Sequence, residues 1–321
     1  MLTPAMMWGG GTPKLVSIIG KGLLAYTNDL KNWVQVDVSG SADTTGKGIA
    51  YNSTNDVLMI AVQGSTFAAQ VRKTKLASFK AKSSYSSTNG GTYNPTAGKL
   101  TYDAGKWMYG DVTSKVAMSA DNGVTWTDFN TWNSSATRNA SIIRYFQSAG
   151  IYVACYPNVA SIGTSPSGSF NSAYWSVTGT PFTTQTRYVA EGSTSNFLAL
   201  GGSSTVGQIA TSTNLTTWTS RTWVNTNLPN WAAWNGSLWV VVANGGTIAT
   251  STDGISWTSR TSGIVTNLLW VDWDVKKNQF IVVGDSMVIL TSSDGINWTN
   301  RNTVTTNFSS TTIPLQITRV S

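Results

Sequence analysis

The chain has no histidine, one cysteine and one glutamate, and only 11% of its 321 residues are charged. Without histidine, the commonest general base and metal ligand is missing, and catalytic arrangements built on imidazole are excluded. With Cys155 alone no intramolecular disulfide can form, so the chain is not a small stapled domain. The run Ile151-Tyr-Val-Ala-Cys-Tyr156 reads as a strand with its thiol buried. One glutamate and thirteen aspartates leave few carboxylate pairs for acid–base work. No segment keeps a helical period, and no apolar run is long enough to cross a membrane. Neither a Gly-rich phosphate loop nor an EF-hand calcium loop is present, and no metal or cofactor is expected. The start, Met1-Leu-Thr-Pro-Ala-Met-Met-Trp8, lacks the basic region and continuous apolar stretch of a signal peptide.

The chain is instead rich in tryptophan (15 residues), in alternating apolar runs, and in Ser, Thr, Asn and Gly, which is ample material for burial. Its net charge of +7 is uneven: eleven of thirteen lysines precede residue 116, and Arg72, Lys73, Lys75, Lys80 and Lys82 cluster. The cluster reads first as a solvated sheet edge, and second as a contact for an anionic polysaccharide, a phosphate-bearing surface or an acidic partner. The C-terminal half carries no basic stripe, so nucleic acid is not an expected partner.

A short motif ending in an aromatic recurs seven times. Its clearest copies are Ser119-Ala-Asp121-Asn-Gly-Val-Thr-Trp126, Ser251-Thr-Asp253-Gly-Ile-Ser-Trp257 and Ser292-Ser-Asp294-Gly-Ile-Asn-Trp298. Copies carrying Asn214 with Trp218, and Asp29 with Trp33, are close to these, while those ending at Phe79 and Phe170 are eroded. The terminal aromatics lie 39 to 48 residues apart, the length of a four-stranded propeller blade. Within one repeat, Trp231–Trp234, Leu238–Ala243, Thr247–Ser251 and Trp257–Arg260 read as four strands separated by Asn-Gly-Ser, Asn-Gly-Gly and Asp-Gly turns. The sequence therefore predicts an all-β, seven-bladed propeller of four-stranded antiparallel blades in one domain. Approximate blades are 1–40, 41–88, 89–135, 136–180, 181–224, 225–263 and 264–303, with a closing or docking strand in 304–321. In the motif itself, Asp or Asn accepts backbone N–H bonds, Gly supplies positive φ and the aromatic plugs the space beneath the hairpin.

These residues resemble the Asp-box, or bacterial-neuraminidase (BNR), repeat of β-propellers. That resemblance implies that Asp29, Trp33, Asp121, Trp126, Asn214, Trp218, Asp253, Trp257, Asp294 and Trp298 are structural, on the blade rim away from the ligand face. It also raises the sialidases, but their arginine trio, tyrosine nucleophile and Arg-Ile-Pro signature are not matched. Arg221, Arg260 and Arg301, three residues after motif aromatics, read as scaffold on outer strands.

Aligning the first strands gives an aromatic column of Trp8, Tyr51, Tyr102, Tyr145, Trp234 and Trp273, with Glu191 as its exception. The preceding column is mostly small but holds Arg144 and Asp272. Arg144 and Glu191 are expected to form a buried pair between the fourth and fifth blades. Candidate ligand residues are drawn from the interblade and second-to-third-strand loops: Tyr93, Trp132, Asn133, Arg138, Arg187, Trp223 and Asp285. Aromatic platforms flanked by amides and arginines suit sugar rings. The composition resembles that of tailed-phage receptor-binding or virion-decoration proteins. The expected function is a non-enzymatic binding propeller of a phage tail or virion that recognises host-surface glycan or decorates the particle. The alternatives are a sialidase-like or other Asp-box glycosidase and an assembly-factor propeller like the photosystem II stability factors.

Overall fold

The computed structural model describes residues 15–18, 23–27, 33–37, 43–52, 54–64, 69–75, 99–110, 115–130, 142–156, 159–166, 175–193, 195–203, 205–301 and 316–319. Turn chemistry sets the strand boundaries. Between the first two strands of the sixth sheet, the Asn235 side chain accepts the N–H groups of Ser237 at 2.9 Å and Leu238 at 2.7 Å. Gly236 turns the chain there at a φ of 104°. At the next turn Gly246 has a φ of 70°, and a Cβ would sit 1.8 Å from the Ile264 carbonyl oxygen, so only glycine lets the interblade loop pass.

Every strand pairing among the described residues is antiparallel. The third sheet comprises Leu100–Asp103, Lys106–Gly110, Lys115–Ser119 and Thr127–Asn130; the fourth, Ile142–Phe146, Ile151–Cys155, Ile162–Pro166 and Ser176–Gly179. The fifth comprises Thr186–Glu191, Phe197–Gly202, Gly207–Ser212 and Thr219–Arg221; the sixth, Pro229–Trp234, Trp239–Ala243, Ile248–Ser251 and Thr258–Arg260. The seventh comprises Leu268–Asp274, Gln279–Gly284, Val288–Ser292 and Thr299–Asn300. These five are blades of four consecutive strands, where the repeat predicts seven.

The other two sheets differ. The second shows three strands among the described residues, Asp43–Asn52, Val57–Gly64 and Ala69–Lys75. The first is Leu15–Ile18, Leu23–Thr27 and Trp33–Asp37, with Gln316–Arg319 paired onto Leu15–Ile18. The C-terminal strand thus holds the inner place that the sequence assigns to the segment around Met7 and Trp8, which lies outside the described residues. By register, Leu15 pairs with both Arg319 and Thr27, as Trp239 pairs with both Trp234 and Ser251. Arg319 therefore occupies the first sheet's position in the aromatic column. Gln316–Arg319 lies against both Leu268–Asp274 and Asp43–Asn52.

The main core lies between the fourth to seventh sheets. The second strands are continuous apolar runs because both faces are covered: Trp239, Val240, Val241 and Val242 are wholly buried. Each such Val contributes roughly 1.5–3 kcal/mol of burial. Column aromatics pack on their register partners in their own second strand, Trp234 on Trp239 at 5.1 Å and Trp273 on Phe280 at 4.6 Å between centroids.

Candidate functional site

In each meander the first-to-second and third-to-fourth turns lie at one end, and the second-to-third and interblade loops at the other. The third-to-fourth turns are closed by the recurrent motif. Asp253 accepts the N–H groups of Ile255 at 2.7 Å and Ser256 at 2.9 Å, and the Ser251 hydroxyl accepts that of Gly254 at 2.8 Å. The indoles of Trp218, Trp257 and Trp298 donate at 3.1 Å to the carbonyls of Leu215, Gly254 and Gly295. Leu215 takes a φ of 64° where the other two copies have glycine. Backbone donors hold the Asp253 and Asp294 carboxyls below the usual range, those of Ser256 and Asn297 foremost. For Asp121, partial burial opposes the shift, but hydrogen bonds led by Thr125 lower it to about 2. Arg221, Arg260 and Arg301 each donate Nε to a threonine hydroxyl of the third strand at 2.8–2.9 Å, a scaffold use. Asp29 lies outside the described residues.

The small column of the first strands has a different consequence. Ala50, Thr101, Ala190 and Ala233 leave space at the centre of the ring, forming a cavity of about 400 Å³ walled by the inner strands of the second to seventh sheets. Its lining takes the C-terminal halves of those strands, toward the turns that carry the motif. The expected ligand face is the other end. Into this cavity come the two exceptions of the column, Arg144 and Asp272, together with Asp103, Glu191, Tyr51, Tyr102, Tyr145 and Trp234. One wall is a stack of three rings from consecutive blades: Tyr188 on Trp231 at 3.7 Å and Trp231 on Trp270 at 3.6 Å.

The expected Arg144–Glu191 pair does not form. Arg144 Nε donates to Asp103 at 2.7 Å, and its Nη1 donates to the Tyr188 hydroxyl at 3.3 Å. Asp103 is the main reason the Arg144 pKa rises, with Asp272 adding to it. Glu191 instead accepts the backbone N–H groups of Gln147 at 2.9 Å and Ser148 at 2.7 Å, and the Ser148 hydroxyl at 2.6 Å.

The reason lies in the residue after the aromatic column. Asn52, Asn235 and Asp274 each accept two N–H groups of their own first-to-second turn. The fourth sheet has Phe146 there, which cannot accept, and Glu191 supplies the acceptor from the next blade. Phe146 in turn stacks on Phe197 at 5.5 Å, covering the ring that Glu191 cannot. The swap is between Phe146 and Glu191. Asp103 occupies the same turn position, but Ala104 and Gly105 close a two-residue hairpin with φ of 50° and 76°. That turn leaves the Asp103 carboxylate for Arg144, and the short spacing was the available signal.

The loop residues expected to bind ligand are placed as follows. Tyr93, Trp132, Asn133 and Arg138 lie outside the described residues. Trp223 is half-buried against the core, donates to the Asn227 carbonyl at 2.8 Å and meets Trp257 edge-on at 6.0 Å, so it packs between blades rather than standing open. Asp285 accepts from the Asn267 amide at 2.9 Å, and Asn225 and Asn227 both donate to Thr247. These polar groups tie neighbouring blades together. Arg187 is the half-buried bulge residue of the fifth inner strand, and burial lowers its pKa. None of Arg187, Trp223 and Asp285 lines the central cavity.

No family model matches the sequence, and no curated protein matches it either. Solved structures do. The WD40 β-propeller domain of Doa1 superposes with a TM-score of 0.65 at 12% identity, covering 89% of this chain and 92% of that one. YCF48 from Cyanidioschyzon merolae gives 0.60 at 11% identity, over 84% and 88% of the two chains. YCF48 bound to a D1 peptide gives 0.59 at 14% identity, over 82% and 84%. At such identities the likeness speaks for the fold alone. The chain is an all-β propeller with four-stranded antiparallel blades.

Proposed function

We propose that the chain is a single seven-bladed ring of the Asp-box class, closed by Gln316–Arg319, and that it acts as a non-enzymatic binding module for glycan. The observation that carries this reading is the central cavity: about 400 Å³, with half-buried aromatics beside charged groups already held in place. Tyrosine and tryptophan rings offer faces to the C–H surfaces of sugars, and fixed acceptors and donors offer partners to hydroxyls. Catalysis by a carboxylate is disfavoured. Asp103 is bound to Arg144, Glu191 to the 147–148 turn, and Asp272 accepts the Trp273 N–H at 2.9 Å. The composition, poor in charge and rich in Ser, Thr, Asn, Gly and Trp, supports a place on a phage tail or virion, facing host-surface polysaccharide.

Glycan-array binding and host-cell adsorption test this. The wild-type chain retains host polysaccharide, and Trp234→Ala loses at least tenfold in affinity, about 1.4 kcal/mol. Release of reducing sugar would move the glycosidase reading to first place. The likeness to YCF48, a structure of which holds a peptide, favours one rival, an assembly-factor propeller that binds protein. Binding to a peptide array with no glycan retained would establish it.

A further inference from the structure

Resting on the glycan reading, we propose that Arg144 and Asp103 together form the specificity-determining subsite of the central cavity, and that this subsite takes a neutral sugar through two adjacent hydroxyl groups. The bond between the pair leaves part of each side chain open. Arg144 Nε donates to Asp103 Oδ2 at 2.7 Å, and the same oxygen takes the Tyr145 N–H at 3.4 Å. Arg144 Nη1 donates to the Tyr188 hydroxyl at 3.3 Å. Among the described residues, Arg144 Nη2 has no hydrogen-bond acceptor and Asp103 Oδ1 has no donor. Neither atom is buried, and the two side chains keep 36% and 22% of their exposure. Both residues line the cavity.

An open donor and an open acceptor on two bonded groups set the chemistry of the ligand. A carboxylate would suit Arg144 Nη2 but bring a like charge beside Asp103, and an ammonium would suit Asp103 Oδ1 but bring one beside Arg144. A hydroxyl both donates and accepts. Two hydroxyls on adjacent ring carbons meet both atoms at once, one accepting from Nη2 while its neighbour donates to Oδ1. Because the guanidinium and the carboxylate already neutralise each other, the ligand has no charge to supply. The rings agree. Tyr102 immediately precedes Asp103 and Tyr145 immediately follows Arg144, and both are half-buried in the cavity lining. Each is held on its own second strand, Tyr102 on Trp107 at 4.7 Å and Tyr145 on Tyr152 at 5.0 Å between centroids. Rings fixed in advance offer faces to the C–H surface of a sugar without an ordering cost on binding.

The test applies the intact chain to an array of neutral, sialylated and uronic-acid glycans, and to a duplicate array oxidised with periodate, which cleaves vicinal diols. Neutral glycans are retained in preference to acidic ones, and the oxidised duplicate loses them. Calorimetric titration with the best-retained glycan then compares the wild type with Arg144→Lys, which keeps the charge beside Asp103 but not the planar fork. The variant loses roughly tenfold or more in affinity, with its circular dichroism spectrum unchanged. A preference for acidic glycans, binding that survives periodate, or a folded Arg144→Lys within about twofold of wild type each overturns the subsite and leaves the glycan reading standing. If neither array retains the chain, the glycan reading falls and the subsite falls with it. Both arrays use the wild-type chain, so they decide the matter even if Arg144→Lys fails to fold.

Discussion

Replacing Asp103 by Asn is the sharpest probe of the cavity wall. The pair it breaks is close, 2.7 Å, but its side chains keep 36% and 22% of their exposure on Arg144 and Asp103. At an effective dielectric of about 20 the gross attraction of unit charges 4 Å apart is about 4 kcal/mol. Desolvation and solvent screening take back most of it: exposed pairs net about 0.2–1 kcal/mol, whereas breaking a fully buried pair costs about 3–5. The half-exposed geometry sets Asp103→Asn between these, at about 1–2 kcal/mol of lost stability. Arg144→Met costs less, because Asp103 keeps its exposure and the Tyr145 N–H at 3.4 Å. The assay is urea unfolding followed by tryptophan emission and circular dichroism, with coincident curves required before free energies are assigned. In a double-mutant cycle Asp103 and Arg144 couple by about 1 kcal/mol, while Arg144 and Glu191 stay additive within about 0.5 kcal/mol. A larger coupling for Arg144 with Glu191 than with Asp103 would refute the pairing.

Other outcomes follow from the same geometry. The Asp121, Asp253 and Asp294 carboxyls are lowered on folding, Asp121 from 3.8 to about 2, so the stability they add is full above the unfolded value and is lost as pH falls toward the folded one. Amide exchange at these three turns should accelerate as pH drops from about 4 to about 2, beyond the intrinsic trend, while the Asn214 turn stays flat; equal behaviour of all four would contradict the assignment. Burial pushes the Cys155 thiol up to about 12, so it should ignore a thiol reagent at neutral pH until urea unfolds the chain; rapid labelling of the native protein would show the strand opens. Gly246→Ala forces a Cβ against the Ile264 carbonyl at positive φ and should lower stability by more than about 1 kcal/mol, read as a shift in urea midpoint; a neutral result would mean the interblade loop can move aside.

The sequence by itself determined the repeat, the strand order within a blade and the turn chemistry. Those rest on local interactions: Asp253 reaches donors two and three residues away, and Trp257 folds back on Gly254. Five blades of consecutive strands could be aligned from that register alone. The same register exposed Arg144, Glu191 and Asp272 as exceptions in their columns. It did not say which neighbour each exception meets, because a column specifies a position on a strand and not the gap between two blades. The tertiary structure decided that Arg144 turns back to Asp103, freed by a two-residue hairpin, and that Glu191 serves a turn where Phe146 has no acceptor. It also gave the inner place of the first sheet to Gln316–Arg319, a pairing across almost the whole chain length that no local pattern encodes. The cavity has the same origin. Ala50, Thr101, Ala190 and Ala233 are ordinary one at a time, and become a space only when the fold brings their strands side by side around one cavity.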